Sequence, residues 1–418
     1  MAERLSDKGY MALIVEATKG TAVIPTVYLP LMAETVRTQI NMNSPAFIFG
    51  NKAARWKSFM GLRKHTGKIE CLATPGTVGY FFDMLLQKGN TTGADPYTNP
   101  YTLGDTVHSY TIDFLKGQIV KRFIGVEAKN IGIDFQENIM KLVVDVAARK
   151  QVSTMELNGT PTGSGTYTIT LKTDYDASPT TGLVAGDYMR LYKAAGTTID
   201  FEVVSVVSAT TITTGTNVTS GAAADTISLR SREPSDADYD DTDLSNPFTF
   251  GRSEYCFGAT ATAALSATHT GIEQGSGVWN ISHAITPEDG ANRSGSLDPV
   301  IMPRGQGDVT VSIKRYFDTA EEWNHYLSIA KRALVIRHYA NDDTHELRIT
   351  LNYIRKESFD DPLEISGLIY QEFNHRAHYD TTDNQMFDVK VISGVDMPIS
   401  ASVSPSTSPS KSPSVSPT

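Results

Sequence analysis

One structural order is written twice along this chain of 418 residues. Near Gly67, and again near Gly307, an alternating strand leads through a long irregular loop to a glycine and a second strand. One amphipathic helix and two or three further strands follow. Paired elements of the two copies stand roughly 240–245 positions apart, and what repeats is pattern and order rather than residue identity. The duplication constrains the fold more than any single motif.

In the first copy, Met11–Val15 reads as a strand. Val36, Thr38, Ile40 and Met42 alternate with Arg37, Gln39 and Asn41, the period of a half-buried strand. Asn43–Thr66 has no clean period, yet it holds Phe47, Phe49, Trp56, Phe59 and Met60. So long a stretch without regular structure is unusual inside a compact domain. Its large side chains need burial, either on the chain's own core or, as preferred here, on a neighbouring subunit. Lys68–Ala73 reads as the next strand. Thr74 suits a helix N-cap and Pro75 the first helical position. Val78, Phe81, Phe82 and Leu85 then make one apolar stripe, and Gly89 is placed to end the helix in the left-handed conformation. Strands are expected at Tyr110–Phe114, Phe123–Ala128, Ile131–Phe135 and Ile139–Ala147.

The second copy runs in parallel. Trp279, Ile281 and Ile285 alternate with polar or small neighbours, the loop Thr286–Arg304 follows, and Val309, Val311 and Ile313 alternate again. Asp318 and Glu321 have capping-box spacing. Trp323, Tyr326, Leu327 and Ala330 repeat the helical stripe. Strands are expected at Ala333–Tyr339, Glu346–Tyr353, Leu363–Phe373 and Gln385–Ile392.

Between the copies, Gln151–Arg232 is rich in Thr, Ser, Gly and Ala, with short strand signals at Tyr167–Leu171, Tyr188–Tyr192, Phe201–Val207 and Thr210–Thr213. Glu233–Asp243 carries aspartates at alternate positions. It lacks the central glycine and terminal glutamate of an EF-hand loop, so it reads as a solvated charge run. Prolines recur every fourth residue from Pro405 to Pro417, a composition that builds no core. The expected organisation is a first module over 1–150, a small exposed all-β domain over 151–232, an acidic linker over 233–249, a second module over 250–399 and a Ser/Pro/Thr-rich tail over 400–418.

The formal net charge of −10 argues against tight gripping of nucleic acid, which needs a basic surface to release counterions. Two cysteines, Cys71 and Cys256, exclude a disulfide scaffold and read as buried free thiols. No apolar run approaches bilayer-spanning length, so no membrane insertion is expected. Met1–Lys8 is polar, without the apolar core of a signal peptide, which suggests folding in a cytoplasm. Phosphate-loop, nucleophile-elbow and zincin motifs are absent. His375 and His378 lie three apart in a strand-like run, on opposite faces, which makes a poor metal pair. No cofactor, metal or catalytic residue is expected.

The stretch Lys64-His65-Thr66-Gly67-Lys68-Ile69-Glu70, followed by Thr74-Pro75-Gly76 and a helix, resembles the tail tube proteins of long-tailed bacteriophages. So do Val15-Glu16-Ala17-Thr18-Lys19-Gly20-Thr21 and the passage from Asp308–Phe317 into Asp318–Arg332. The resemblance spans about Met11–Ala148 and Phe250–Ile392. It implies a mainly β fold: two tandem β-barrel or sandwich modules, each flanked by one helix; the polar composition of the small all-β domain between them suits an exposed decoration. It also implies a structural virion protein that is no enzyme. Made in a host cytoplasm, such a protein assembles with itself into stacked rings of the tail, around a channel that DNA crosses without specific binding. Other tail proteins, such as a tape-measure protein, are the further partners. Because two modules share one chain, three chains rather than six are expected per ring. The family's stacking loops fall on Phe47, Phe49, Trp56, Phe59 and Met60 in the first copy and on Asp298, Pro299, Ile301 and Met302 in the second. Two other readings stand beside this one: an extracellular filament or surface-layer protein, and a carbohydrate-active β-sandwich enzyme.

Overall fold

The computed structural model describes residues 9–44, 59–116, 119–152, 154–173, 176–194, 196–230, 246–273, 276–285, 298–316, 321–360 and 370–396. The fold is mainly β and its strand ladders are antiparallel. The first half contributes β1 (Met11–Val15), β2 (Arg37–Asn43), β3 (Phe59–Leu72), α1 (Pro75–Leu85), β4 (Tyr97–Thr102), β5 (Tyr110–Lys116), β6 (Ile119–Gln136), β7 (Ile139–Ala148) and β8 (Lys150–Val152). The second contributes β9 (Ser253–Gly258), β10 (Val278–Ile285), β11 (Arg304–Tyr316), α2 (Glu321–Ser328), β12 (Arg332–Tyr339), β13 (Glu346–Asp360), β14 (Tyr370–Ala377) and β15 (Phe387–Ser393).

Both halves have one spatial order. Neighbouring strands run β2-β3-β7-β6-β5-β1 in the first and β10-β11-β14-β13-β12-β9 in the second. β8 lies on β6 beside β7, as β15 lies on β13 beside β14. The irregularities match as well. An extra residue enters β6 at Lys129 and β13 at Glu357, each against one partner step. A second bulge puts an extra residue in β3 between Met60 and Arg63, opposite Ile40–Met42, and in β11 between Arg304 and Gly307, opposite His283–Ile285. A third puts an extra residue in β6 between Phe123 and Val126, opposite Tyr110–Ile112, and in β13 between Leu351 and Ile354, opposite Arg332–Leu334. A bulge bends and re-aims a strand, so its position is a feature of the fold rather than noise. Counting rungs from the first pair of bulges puts Lys68 level with Ser312, and Arg63 with Gly307; the second pair of bulges gives the same match. Gly67 and Gly307, the landmarks of the sequence pattern, are therefore not counterparts; Gly67 stands level with Val311.

The structure departs from the sequence pattern in instructive places. Phe59–Thr66 belongs to β3 rather than to a loop, because an extra residue between Met60 and Arg63 breaks its two-residue period. Phe123–Ala128 and Ile131–Phe135 are one strand, β6, which continues through the bulge at Lys129. Thr74 sits at the N-cap of α1 in extended conformation, and Thr77 Oγ1 accepts from its backbone N–H at 3.0 Å. Gly89 does not end this helix. The chain turns extended at Leu86 and pairs at Gln87–Lys88 with the end of β4. Asp318, the acidic segment Glu233–Asp243 and the proline-rich tail lie outside the described residues.

Residues 155–229 form a separate seven-stranded sheet. Its core takes in Val120, Ile124 and Val152 from the first half. Arg122, itself buried, bolts the two together: its Nε donates to Asp113 Oδ1 at 2.8 Å and its Nη1 to Asp187 Oδ2 at 2.8 Å. A single large apolar cluster otherwise runs through both halves, with α1 wholly inside it.

Candidate assembly surfaces

The two halves meet edge to edge. Asn130, Ile131 and Gly132 of β6 pair with Ser282, Ile281 and Asn280 of β10. β4, an excursion of the first half with no counterpart among the described residues of the second, pairs along β15. α1 packs beneath this seam. Its Phe82 stacks on Trp279 of β10 with ring centroids 6.1 Å apart, and Trp279 Nε1 donates to His338 Nε2 at 3.0 Å. Burial holds the His338 imidazole down at about 3, so it stays neutral and accepts that hydrogen bond.

Arg304 locks the seam. Its Nη2 donates to Glu127 Oε2 at 2.9 Å and to the Met84 carbonyl at 2.8 Å, and its Nη1 donates to the Leu85 carbonyl at 2.9 Å. The last carbonyls of α1, which have no partner within the helix, thus end on a cation. Glu127 is buried and also meets Lys19 at 3.3 Å. Desolvation pulls the Arg304 guanidinium below its ordinary range, and Glu127 opposes that.

The counterparts of these buried surfaces lie open. β2 matches β10, but among the described residues it pairs only with β3 and leaves its outer edge without a strand. Ile40 and Met42 on it are 43% and 60% exposed, whereas their counterparts His283 and Ile285 are buried in the seam. α2 matches α1, yet Trp323, Leu327 and Ile329 on or just beyond it are 41%, 59% and 62% exposed. Below α2, a cavity of about 520 Å³ is lined by Tyr326, Leu327, Ile329, Ile354 and Arg355, among others. By rung, Ile354 and Arg355 are the counterparts of Val126 and Glu127, the position that Arg304 covers in the first half. Met60 is the counterpart of Arg304.

Residues expected from the sequence to make ring-to-ring contacts divide as follows. Phe47, Phe49 and Trp56 lie outside the described residues, while Phe59 and Met60 are the first residues of β3. Asp298 turns back on the first half: His65 Nε2 lies 3.1 Å from its Oδ1, and Arg63 lies 3.7 Å away. Desolvation pushes that carboxylate up, but His65, then Arg63 and Lys150, outweigh it and hold the group below its usual range. Pro299 is buried, and Met302 is buried against Ala147 and Ile285. Ile301 is exposed. The base of this loop thus braces the junction between halves. The open edge of β2 and the exposed face of α2 went unmarked in the sequence. Their signal was the helical stripe of Trp323 and Leu327 and the alternation of Ile40 and Met42, which look the same whether the partner is the chain itself or another copy.

Among the described residues there is no group of three or more His, Cys, Asp or Glu able to hold a metal ion. No helix in them is long and apolar enough to cross a membrane. Cys71 and Cys256 are free and buried, and burial pushes the Cys71 thiol up to about 12. No protein-family model matches the chain, and no curated protein matches it in sequence.

Proposed function

We propose that this protein is the structural subunit of a phage tail tube. Three copies close into a ring of six β modules, and rings stack around a channel through which the genome passes. The observation that carries this reading is the seam inside the chain. Two halves of one strand order are joined head to tail by an edge strand, and each outer end of the pair displays the surface that its twin buries. A head-to-tail contact repeats from copy to copy, and it ends either in a closed ring or in an open helix. Pairing every edge also removes the exposed ladders that otherwise make β proteins stick indiscriminately.

The chemistry suits a conduit. A chain of net charge −10 has no overall basic field with which to hold a polyanion, so DNA slides past without being retained. The assembly role needs no catalytic group, cofactor or metal. Negative-stain microscopy of the purified protein tests the reading: hollow tubes of uniform width, built of regularly spaced rings, are expected. A protein that stays monomeric at high concentration, or that forms flat sheets, would refute it.

A further inference from the structure

The internal seam specifies how one chain meets the next. We infer that residues 358–360 of β13 in one copy add as a strand to residues 37–39 of β2 in the next, antiparallel, with Ser358 opposite Gln39. The inference rests on the ring reading and deepens it by naming the joining surfaces and their register.

The register follows from the bulges. In the first half, the rungs just past the Lys129 bulge, Asn130 to Gly132, take the strand from β10. Just past the Glu357 bulge, the same rungs are Ser358, Phe359 and Asp360. These pair with β14 along one edge, and β12 leaves their other edge at Ile354. On the receiving side, Asn280, Ile281 and Ser282 have Arg37, Thr38 and Gln39 as counterparts, since Asn280 faces Thr310 and Arg37 faces Thr66 on matching rungs. The transferred ladder therefore sets Ser358 against Gln39, Phe359 against Thr38, and Asp360 against Arg37.

The apolar surfaces agree with this docking. In the internal seam α1 lies under β10 and is fully buried. Transferring that arrangement brings the exposed face of α2, with Trp323 and Leu327, under the exposed Ile40 and Met42 of the next copy. It also brings position 60 of that copy to the mouth of the cavity bounded by Leu327, Ile329 and Arg355, where Arg304 stands in the first half. A second copy of this chain is the occupant that completes both open ends at once, because one end is the mate of the other.

The test is a disulfide placed across the inferred rung. Residues directly opposite on antiparallel strands hold their Cβ atoms about 4.5–5.5 Å apart, close enough to bridge after small adjustments. The double variant Gln39→Cys/Ser358→Cys is assembled, oxidised and run without reductant; the native cysteines are buried and give little background. Covalent dimer and trimer are expected, with nothing larger. The off-register pair Asn41→Cys/Ser358→Cys should cross-link at least tenfold less. A second variant, Ile40→Asp/Met42→Asp, changes exposed positions only, so it should keep wild-type circular dichroism while raising the concentration needed for assembly at least tenfold. Tubes that form normally but cross-link best off register, or that tolerate the two aspartates, would overturn the inferred seam and leave the ring reading standing. Failure of the wild-type protein to form rings would overturn both.

Discussion

His375 offers a quantitative test of how this fold holds together. It lies on β14, fully buried between Phe257, with centroids 5.6 Å apart, and Phe373, edge-on at 5.1 Å. Neither ring nitrogen has a hydrogen-bond partner among the described residues. Burial is the main cause that holds its imidazole down to about 3; Lys356 and Arg332 push the same way, and Glu322 opposes them. In the unfolded chain the ordinary value is near 6.5. Below that pH the unfolded state takes up a proton that the folded state refuses, so stability falls as pH drops and levels off only near 3. Between pH 7 and pH 4 the loss from this one group is about 3 kcal/mol, a large share of a typical domain's margin. His338, also held at about 3, adds a loss of the same sign over the same range. Phenylalanine matches the aromatic surroundings of His375 and carries no proton. His375→Phe should therefore be neutral or stabilising by about 1–2 kcal/mol at pH 7, because two unsatisfied buried nitrogens disappear. At pH 4 it should be more stable than its parent by a further ~3 kcal/mol. The assay is urea unfolding at both pH values in the Ile40→Asp/Met42→Asp background, so that assembly does not enter the free energy. Equal acid sensitivity of His375→Phe and its parent would refute the reasoning.

Further outcomes follow from the same packing. A Cβ at Gly67 would stand 2.4 Å from Val36 Cα and 2.6 Å from Val36 N, backbone atoms that cannot swing away, whereas at Gly307 the nearest obstacle is the tip of Leu103 at 2.6 Å. Gly67→Ala should cost more than ~2 kcal/mol in denaturant unfolding and Gly307→Ala less than ~1 kcal/mol; equal costs would contradict the close approach seen here. Arg304→Met leaves Glu127 buried with only Lys19 and Arg149 near it, and strips the Met84 and Leu85 carbonyls of a donor. A loss of about 3 kcal/mol is expected, the low end for breaking a buried pair, because two cations remain. An unchanged melting temperature would show that the seam does not depend on this residue.

Much of the architecture was legible in the sequence because period and order are local signals. Met11–Val15, Tyr188–Tyr192 and the helix opened by Thr74 and Pro75 stand where their residues place them. The repeat was legible as an order of elements. Its true register was not, because it is carried by bulges, which insert a residue without marking its type. The same effect hid the outer part of β3, where Met42 and Asn43 face Met60 and Phe59 beyond a bulge. Gly89 carries the local mark of a helix end, but α1 stops at Leu86, where Arg304 from the far half of the chain takes its last carbonyls. A local pattern also cannot separate an apolar face buried within one chain from a face buried between copies. Val278–Ile285 and Arg37–Asn43 hold matching positions, and only the folded structure distinguishes the covered strand from the open one.

The mass of a single ring bears most directly on the duplicated, head-to-tail design. Tubes dissociated gently into rings and weighed by native mass spectrometry should give three chains of 45.5 kDa each. Six chains per ring would mean that the two halves do not occupy equivalent places around the channel, and the account built on their equivalence would fall.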